Sequence, residues 1–162
     1  MVTKMKKVAV ILGAIIAIFS IVPLNFMAWW TRDSEFLGSH NYWHLTGFGI
    51  RINNSGEYAL IDPIYLIPGI VVLLGVVLMF AGTSKENGAL SAIGGILSIG
   101  GPIVFLLVLS SNASVVRSET LVPASENIIW GSFSFGATLN WYLNLGFFLP
   151  LGAGALAIVG SN

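Results

Sequence analysis

Four long apolar runs, separated by two long polar intervals and one short polar turn, set the pattern of the chain. The runs cover about 6–28, 63–82, 89–110 and 139–159, and the long polar intervals cover about 29–62 and 111–138. A helix rises ~1.5 Å per residue, so about 20 apolar residues cross a hydrocarbon core of roughly 30 Å. Each run is of that order. The pattern predicts an all-α membrane fold class: a four-transmembrane-helix bundle, a single tetraspan domain over residues 1–162. A small antiparallel extracellular β-sheet from the two long loops is expected to sit on it.

Local signals sharpen the boundaries. Lys4, Lys6 and Lys7 precede the first run, a basic start that a signal peptide would share. The run from Val8 to Met27 is closer to helix length, however, and Phe26-Met27-Ala28 is a poor small-x-small cleavage site. Trp29 and Trp30 then read as interfacial anchors. Asp62-Pro63 is a helix-start signal, and Thr83-Ser84-Lys85-Glu86-Asn87-Gly88 is a short polar turn that makes the second and third helices a hairpin. All four lysines fall on the side of that turn and the termini. Both termini are therefore expected in the cytoplasm of a multi-pass cell-membrane protein. The Asn-x-Ser sequons at Asn53 and Asn112 fall in the expected external loops as possible glycosylation sites.

Inside the polar intervals the period changes. Thr31 to Ser39 reads as a turn, and His44 to Ile52 as a strand with Phe48, Ile50 and Ile52 on one face. Asn53-Asn54-Ser55-Gly56 carries hairpin-turn chemistry, Glu57 to Ile61 reads as a returning strand, and Ile128 to Phe135 alternates again. Leu121-Val122-Pro123 reads as irregular.

Composition agrees with immersion in lipid. The chain is 56% hydrophobic and 9% charged, against about 25% charged in ordinary soluble domains. Net charge is zero and no basic patch is present, so no nucleic-acid partner is expected. Cysteine is absent, which removes disulfides, thiolate metal sites and thiol nucleophiles together.

Small residues at helical spacing offer close helix contact: Ala9, Gly13 and Ala17; Ser91 with Gly95; Gly94 with Ser98; and Gly146, Pro150 and Gly154. The plainer alternative is that glycine is common in membrane helices. Asn140 and Asn144 read as one turn apart on the fourth helix, in interfacial hydrogen bonds. No ionisable residue lies deep in any run, which argues against transport chemistry.

This topology, with Trp30 followed at a distance by Gly47-Phe48-Gly49-Ile50, resembles the claudin and peripheral myelin protein superfamily. There a tryptophan after the first helix is followed by a Gly-Leu-Trp signature on a strand. Here no tryptophan follows the glycine pair, and the family's loop cysteines are missing. The resemblance implies a tetraspan with an extracellular sheet, used in adhesion, barrier formation or accessory-subunit roles.

Candidate chemistry is sparse. His40 and His44 are four apart and could reach one metal from a helix, but the segment reads as turn into strand and no third ligand is fixed. Asp33, Glu35, Glu57 and Glu126 are expected as solvated surface acids, and neither a nucleophile elbow nor a phosphate loop is present. No catalytic, cofactor or metal residue is assigned. Phe36, Tyr42, Trp43, Phe48, Tyr58, Trp130, Phe133 and Phe135 are candidates for a contact patch, some of them for the junction between sheet and helices. The chain reads as a non-enzymatic membrane protein, in contact with membrane lipids. It binds a protein partner or its own copies through the external face, in adhesion, assembly or an accessory role. The alternatives are an oligomeric channel- or transporter-associated subunit, or an enzyme acting on lipid through His40 and His44.

Overall fold

The computed structural model describes residues 2–161, with side chains from Lys6 to Ser161. Among the described residues five α-helices and six strands alternate in blocks. Helix α1 (Val2–Ile21) leads into strands β1 (Trp30–Phe36), β2 (Ser39–Leu45), β3 (Ile50–Asn53) and β4 (Tyr58–Leu60). Helices α2 (Leu66–Ser84), α3 (Gly88–Ser111) and the short α4 (Ala113–Thr120) follow. Strands β5 (Gly131–Ser134) and β6 (Thr138–Leu143) then precede α5 (Leu145–Ser161). The strands form one antiparallel sheet in the order β4-β3-β2-β1-β6-β5, so β1 is central and joins the two polar intervals.

The expected four-helix membrane bundle with a small sheet is therefore corrected. Among the described residues only two helices, Pro63–Ser84 and Gly88–Ser111, are long and apolar enough to cross a membrane. The outer two apolar runs are shortened. Pro23, which cannot donate a backbone hydrogen bond, follows the end of α1 at Ile21. The last run loses its first residues to β6, whose backbone pairs with β1 from Trp30↔Leu143 to Glu35↔Thr138, leaving α5 with 17 residues. Asn140 is consequently on a strand, and Asn144 sits at the junction into α5 rather than one helical turn on.

The strands also differ from expectation. Thr31–Ser39, read as a turn, holds the central strand. The expected strand His44–Ile52 is broken by a turn at Thr46–Gly49, where Gly49 takes a φ of +68° that a side chain would resist. The alternation read from Ile128 to Phe135 pairs only over Gly131–Ser134.

Close packing of the long helices depends on small residues. A Cβ built on Gly13 would lie 2.6 Å from the Ala153 carbonyl oxygen, one on Gly95 2.7 Å from that of Gly154, and one on Gly94 2.6 Å from that of Gly75. Ala17 is fully buried, and Gly146 lies against the backbone of Met27. Thus α1 meets α5, α5 meets α3, and α3 meets α2, each backbone to backbone. Gly75, not singled out from the sequence, supplies half of the last contact. Gly95→Ala is expected to cost about 1–3 kcal/mol of stability and Gly95→Leu more. Gly152→Ala, whose added methyl meets nothing within 4 Å, should cost nothing. Equal melting temperatures of Gly95→Ala and Gly152→Ala in detergent would contradict this packing.

Candidate functional site: the two faces of the sheet

Strand register divides the sheet into two unlike faces, because successive side chains point to opposite sides. Trp30, Arg32, Trp43, Trp141 and Arg51 share one face by their pairing. Against this face lie α4 and the segment leading to β5. Trp30 Nε1 donates to the Ile128 carbonyl at 2.9 Å, Trp141 Nε1 to that of Asn127 at 2.6 Å, and Arg32 Nε to that of Thr120 at 3.0 Å. Arg51 pairs with Glu119 of α4, while its buried Nε has no partner among the described residues. Arg117 of α4 donates to the carbonyls of Pro123 and Glu126, fastening the segment to the helix. Burial lowers the Arg32 pKa, partly offset by Asp33 alongside. The base of this face is closed, and toward the tips it opens at Ser34, Phe36 and Phe133.

The other face carries Thr31, Asp33 and Glu35 of β1, with His44, Tyr42 and His40 opposite them on β2 and Tyr142, Asn140 and Thr138 on β6. At its base the Thr31 hydroxyl accepts from Asn144 Nδ2 at 2.9 Å and meets His44 Nδ1 at 2.9 Å. The hydroxyl has one proton and two lone pairs, so which of the two groups donates is set by the His44 tautomer. The ring stacks on Tyr42 with centroids 4.7 Å apart. Burial holds the His44 pKa below its usual value, with Asp33 pulling weakly the other way. Toward the tips the face is exposed and polar. His40 Nε2 lies 3.9 Å from Glu35, an exposed pair of little energetic weight.

The candidate residues separate by exposure. Trp43 is buried against Trp30, ring centroids 5.7 Å apart, and Phe48 packs on the core beside Gly69. Phe48 thus serves the junction between sheet and helices, and Trp43 the buried base of the sheet's covered face. Phe36, Tyr58, Trp130, Phe133 and Phe135 are exposed, Phe135 at 86%, and Tyr42 is half-buried, near Asn25. Leu37, not singled out earlier, is 88% exposed in the β1–β2 turn. His40 and His44 share a face with Tyr42 between them, and no group of three His, Asp or Glu side chains that could hold a metal occurs among the described residues. The Asn53 side chain is engaged with Ser55 and Glu57, and Asn112 Nδ2 donates to the Val108 carbonyl at 3.1 Å. A shallow polar depression of about 470 Å³ lies beside Trp43, but its Asn54 amide is already bonded to Tyr42 N and the His40 carbonyl.

Sequence reasoning missed α4 and the Asn144–Thr31–His44 chain. Val116 and Thr120, four apart and buried, were a signal for the helix. Nothing local points to the chain, in which Asn144 and Thr31 are 113 residues apart.

Because the folded pKa of His44 is depressed, its contribution to stability is complete above the unfolded value of about 6.5 and is lost as pH falls through the folded pKa. Melting temperature is expected to fall on acidification below about pH 6.5, and His44→Gln should flatten that part of the profile. Thr31→Val should cost about 1–3 kcal/mol by leaving two partners unsatisfied. A pH profile unchanged by His44→Gln would contradict the assignment. No protein-family model and no curated protein matches the chain.

Proposed function

We propose that this chain is a non-enzymatic membrane protein whose sheet docks another protein, in adhesion, in assembly or as an accessory subunit of a larger membrane complex. The observation that carries this reading is the unequal treatment of the two sheet faces. One is covered at its base by α4 and its following segment. The other, with both hairpin tips, presents aromatic, imidazole and carboxylate groups on strands fixed from both sides. Aromatic side chains held on rigid strands lose little freedom on contact, which suits them as binding anchors.

The placement in the membrane follows from charge and exposure. The α2–α3 turn and the described ends of the chain share the end opposite the sheet, where Lys7 pairs with Glu86 at 2.6 Å and Gly88 packs on Ser161. Basic residues mark the cytoplasmic side, which puts the α2–α3 turn with Lys85 in the cytoplasm and the sheet outside. Membrane lipids contact the outward Ile70, Leu73, Leu74 and Val77 of α2 and Ile93, Ile96, Ile103 and Leu107 of α3, all exposed.

Cross-linking of gently solubilised membranes should trap a partner, or a second copy, on the open face and tips. Trp130→Ser and Phe135→Ser should each reduce the trapped species severalfold, because each removes a large apolar contact, while melting temperature stays unchanged. A solitary monomer in native mass measurements, with no cross-linked product, would contradict the reading.

A further inference from the structure

The six-stranded sheet ends in two outer strands, β4 and β5, whose far edges carry backbone N–H and C=O groups on alternate residues with no strand beside them. Strand β5 bonds to β6, and no other backbone bond among the described residues reaches Gly131–Ser134. Natural sheets blunt such edges with charge or proline. Here Asn127 to Leu143 holds neither, whereas β4 is flanked by Glu57 and Asp62. The β5 edge is also aromatic: Trp130 and Phe133 are 60% and 40% exposed, and Phe135 adjoins them in the turn. What fits this edge is set by its sequence. Trp130-Gly131-Ser132-Phe133-Ser134-Phe135-Gly136 is self-complementary when it runs antiparallel to itself about Phe133. In that register Ser132 stands opposite Ser134 of the second copy, Gly131 opposite its Phe135, and Trp130 opposite its Gly136. Each of these large rings meets a glycine, serine meets serine, and the two Phe133 rings meet at the centre.

We propose that a second copy of this chain pairs with it through β5, antiparallel and centred on Phe133, joining two six-stranded sheets into one. This rests on the docking reading above and names the docked protein as another copy. Antiparallel self-pairing is isologous about a two-fold axis, the commonest symmetry of protein pairs. Cross-strand aromatic and serine pairs are the units that stabilise a sheet. With no charge on the edge, two identical copies meet without like-charge opposition. An aromatic side chain buries about 150–250 Å² when fully covered, so the exposed parts of these three offer roughly 300–450 Å² per copy. That is about half of the roughly 800 Å² per partner of a stable interface, and the four strand residues supply part of the rest. The contact is accordingly weak and reversible, and a covalent trap reads it better than a mass measurement.

The chain has no cysteine, so a single introduced one reports on its own position. Residues directly opposite in an antiparallel pair have Cα atoms about 4.5–5.5 Å apart, inside the range a disulfide spans. The test oxidises single-cysteine variants of the full chain mildly in detergent, where no bilayer fixes how copies meet. All the substituted side chains are exposed, so the variants keep the fold. Phe133→Cys should form a disulfide-linked dimer. Ser132→Cys and Ser134→Cys should form one when mixed, about tenfold more than either alone, because each alone stands two residues off its mate, with Cβ atoms about 7–8 Å apart. Tyr58→Cys, on the opposite edge at a position 60% exposed against 40% for Phe133, should give no more than Ser132→Cys alone. No dimer from either Phe133→Cys or the mixed pair would overturn the proposal, and so would an equal yield from Tyr58→Cys. Should those variants fail while cross-linking still traps a different protein on the sheet, the docking reading stands and only the second copy falls. A solitary monomer throughout would overturn both.

Discussion

Two adjacent tryptophans pointing in opposite directions join the helices to the sheet, and the rest of the structure depends on that junction. Trp29 is fully buried among the helices, edge-on to Phe105 at 5.3 Å and to Phe147 at 6.2 Å, with its Nε1 donating to the Ser20 carbonyl at 2.7 Å. Trp30, also fully buried, turns the other way into the sheet, against Trp43 and the Ile128 carbonyl. The backbone between them is equally committed: Trp29 N–H donates to Leu45 O at 2.8 Å, and its carbonyl accepts from Asn144 N at 3.0 Å. Replacing a buried Trp by Ala costs about 3–5 kcal/mol, and edge-on aromatic pairs add about 0.5–1.5 kcal/mol each. A large part of a typical domain's net stability of about 5–15 kcal/mol therefore rests on two neighbouring residues. Gly47 completes the fit, since a Cβ there would collide with the Trp29 ring.

From this junction the asymmetry of the sheet follows. Strand β1 leaves Trp30 with alternate side chains on opposite faces, so Arg32 enters the closed side and Thr31 and Asp33 the open one. The closed side is tied down by indole and guanidinium donors reaching backbone carbonyls of α4 and its following segment. Such bonds fix strand positions without an apolar contact at every site. The open side is thereby held in register, with Leu37 and Phe135 exposed at the tips. The small-residue contacts among the helices complete the support, because backbones that touch leave little room for the sheet to tilt.

How much of this was legible in the sequence depends on where the stabilising partner lies. The apolar runs of α2 and α3 declare themselves by length and hydropathy, and Gly95 and Gly154 by spacing. Strand β1 did not. Thr31-Arg32-Asp33-Ser34-Glu35-Phe36 has no apolar alternation, because Arg32 is satisfied by Thr120 at 88 residues' separation. Strand β6 was hidden for the opposite reason: Leu139, Trp141 and Leu143 alternate as a strand should, but the apolar run that follows absorbed them into a helix. The aromatic contact residues divided similarly. Nothing local distinguishes Trp43, whose ring is buried by Trp30, from Trp130, which is exposed. At the lysine-rich end the sequence put Lys6, Lys7 and the turn with Glu86 on one side, but not the Lys7–Glu86 contact, whose partners are 79 residues apart.

Hydrogen exchange, read peptide by peptide, tests the junction most directly by comparing the protein with its Trp29→Phe variant. If the tryptophan pair couples sheet to helices, β1 and β6 amides are as protected as those of α3, and the variant loses protection in sheet and helices together. Rapid exchange of β1 in the unmodified protein beside a slow α3, or loss confined to one layer in the variant, would contradict the coupling.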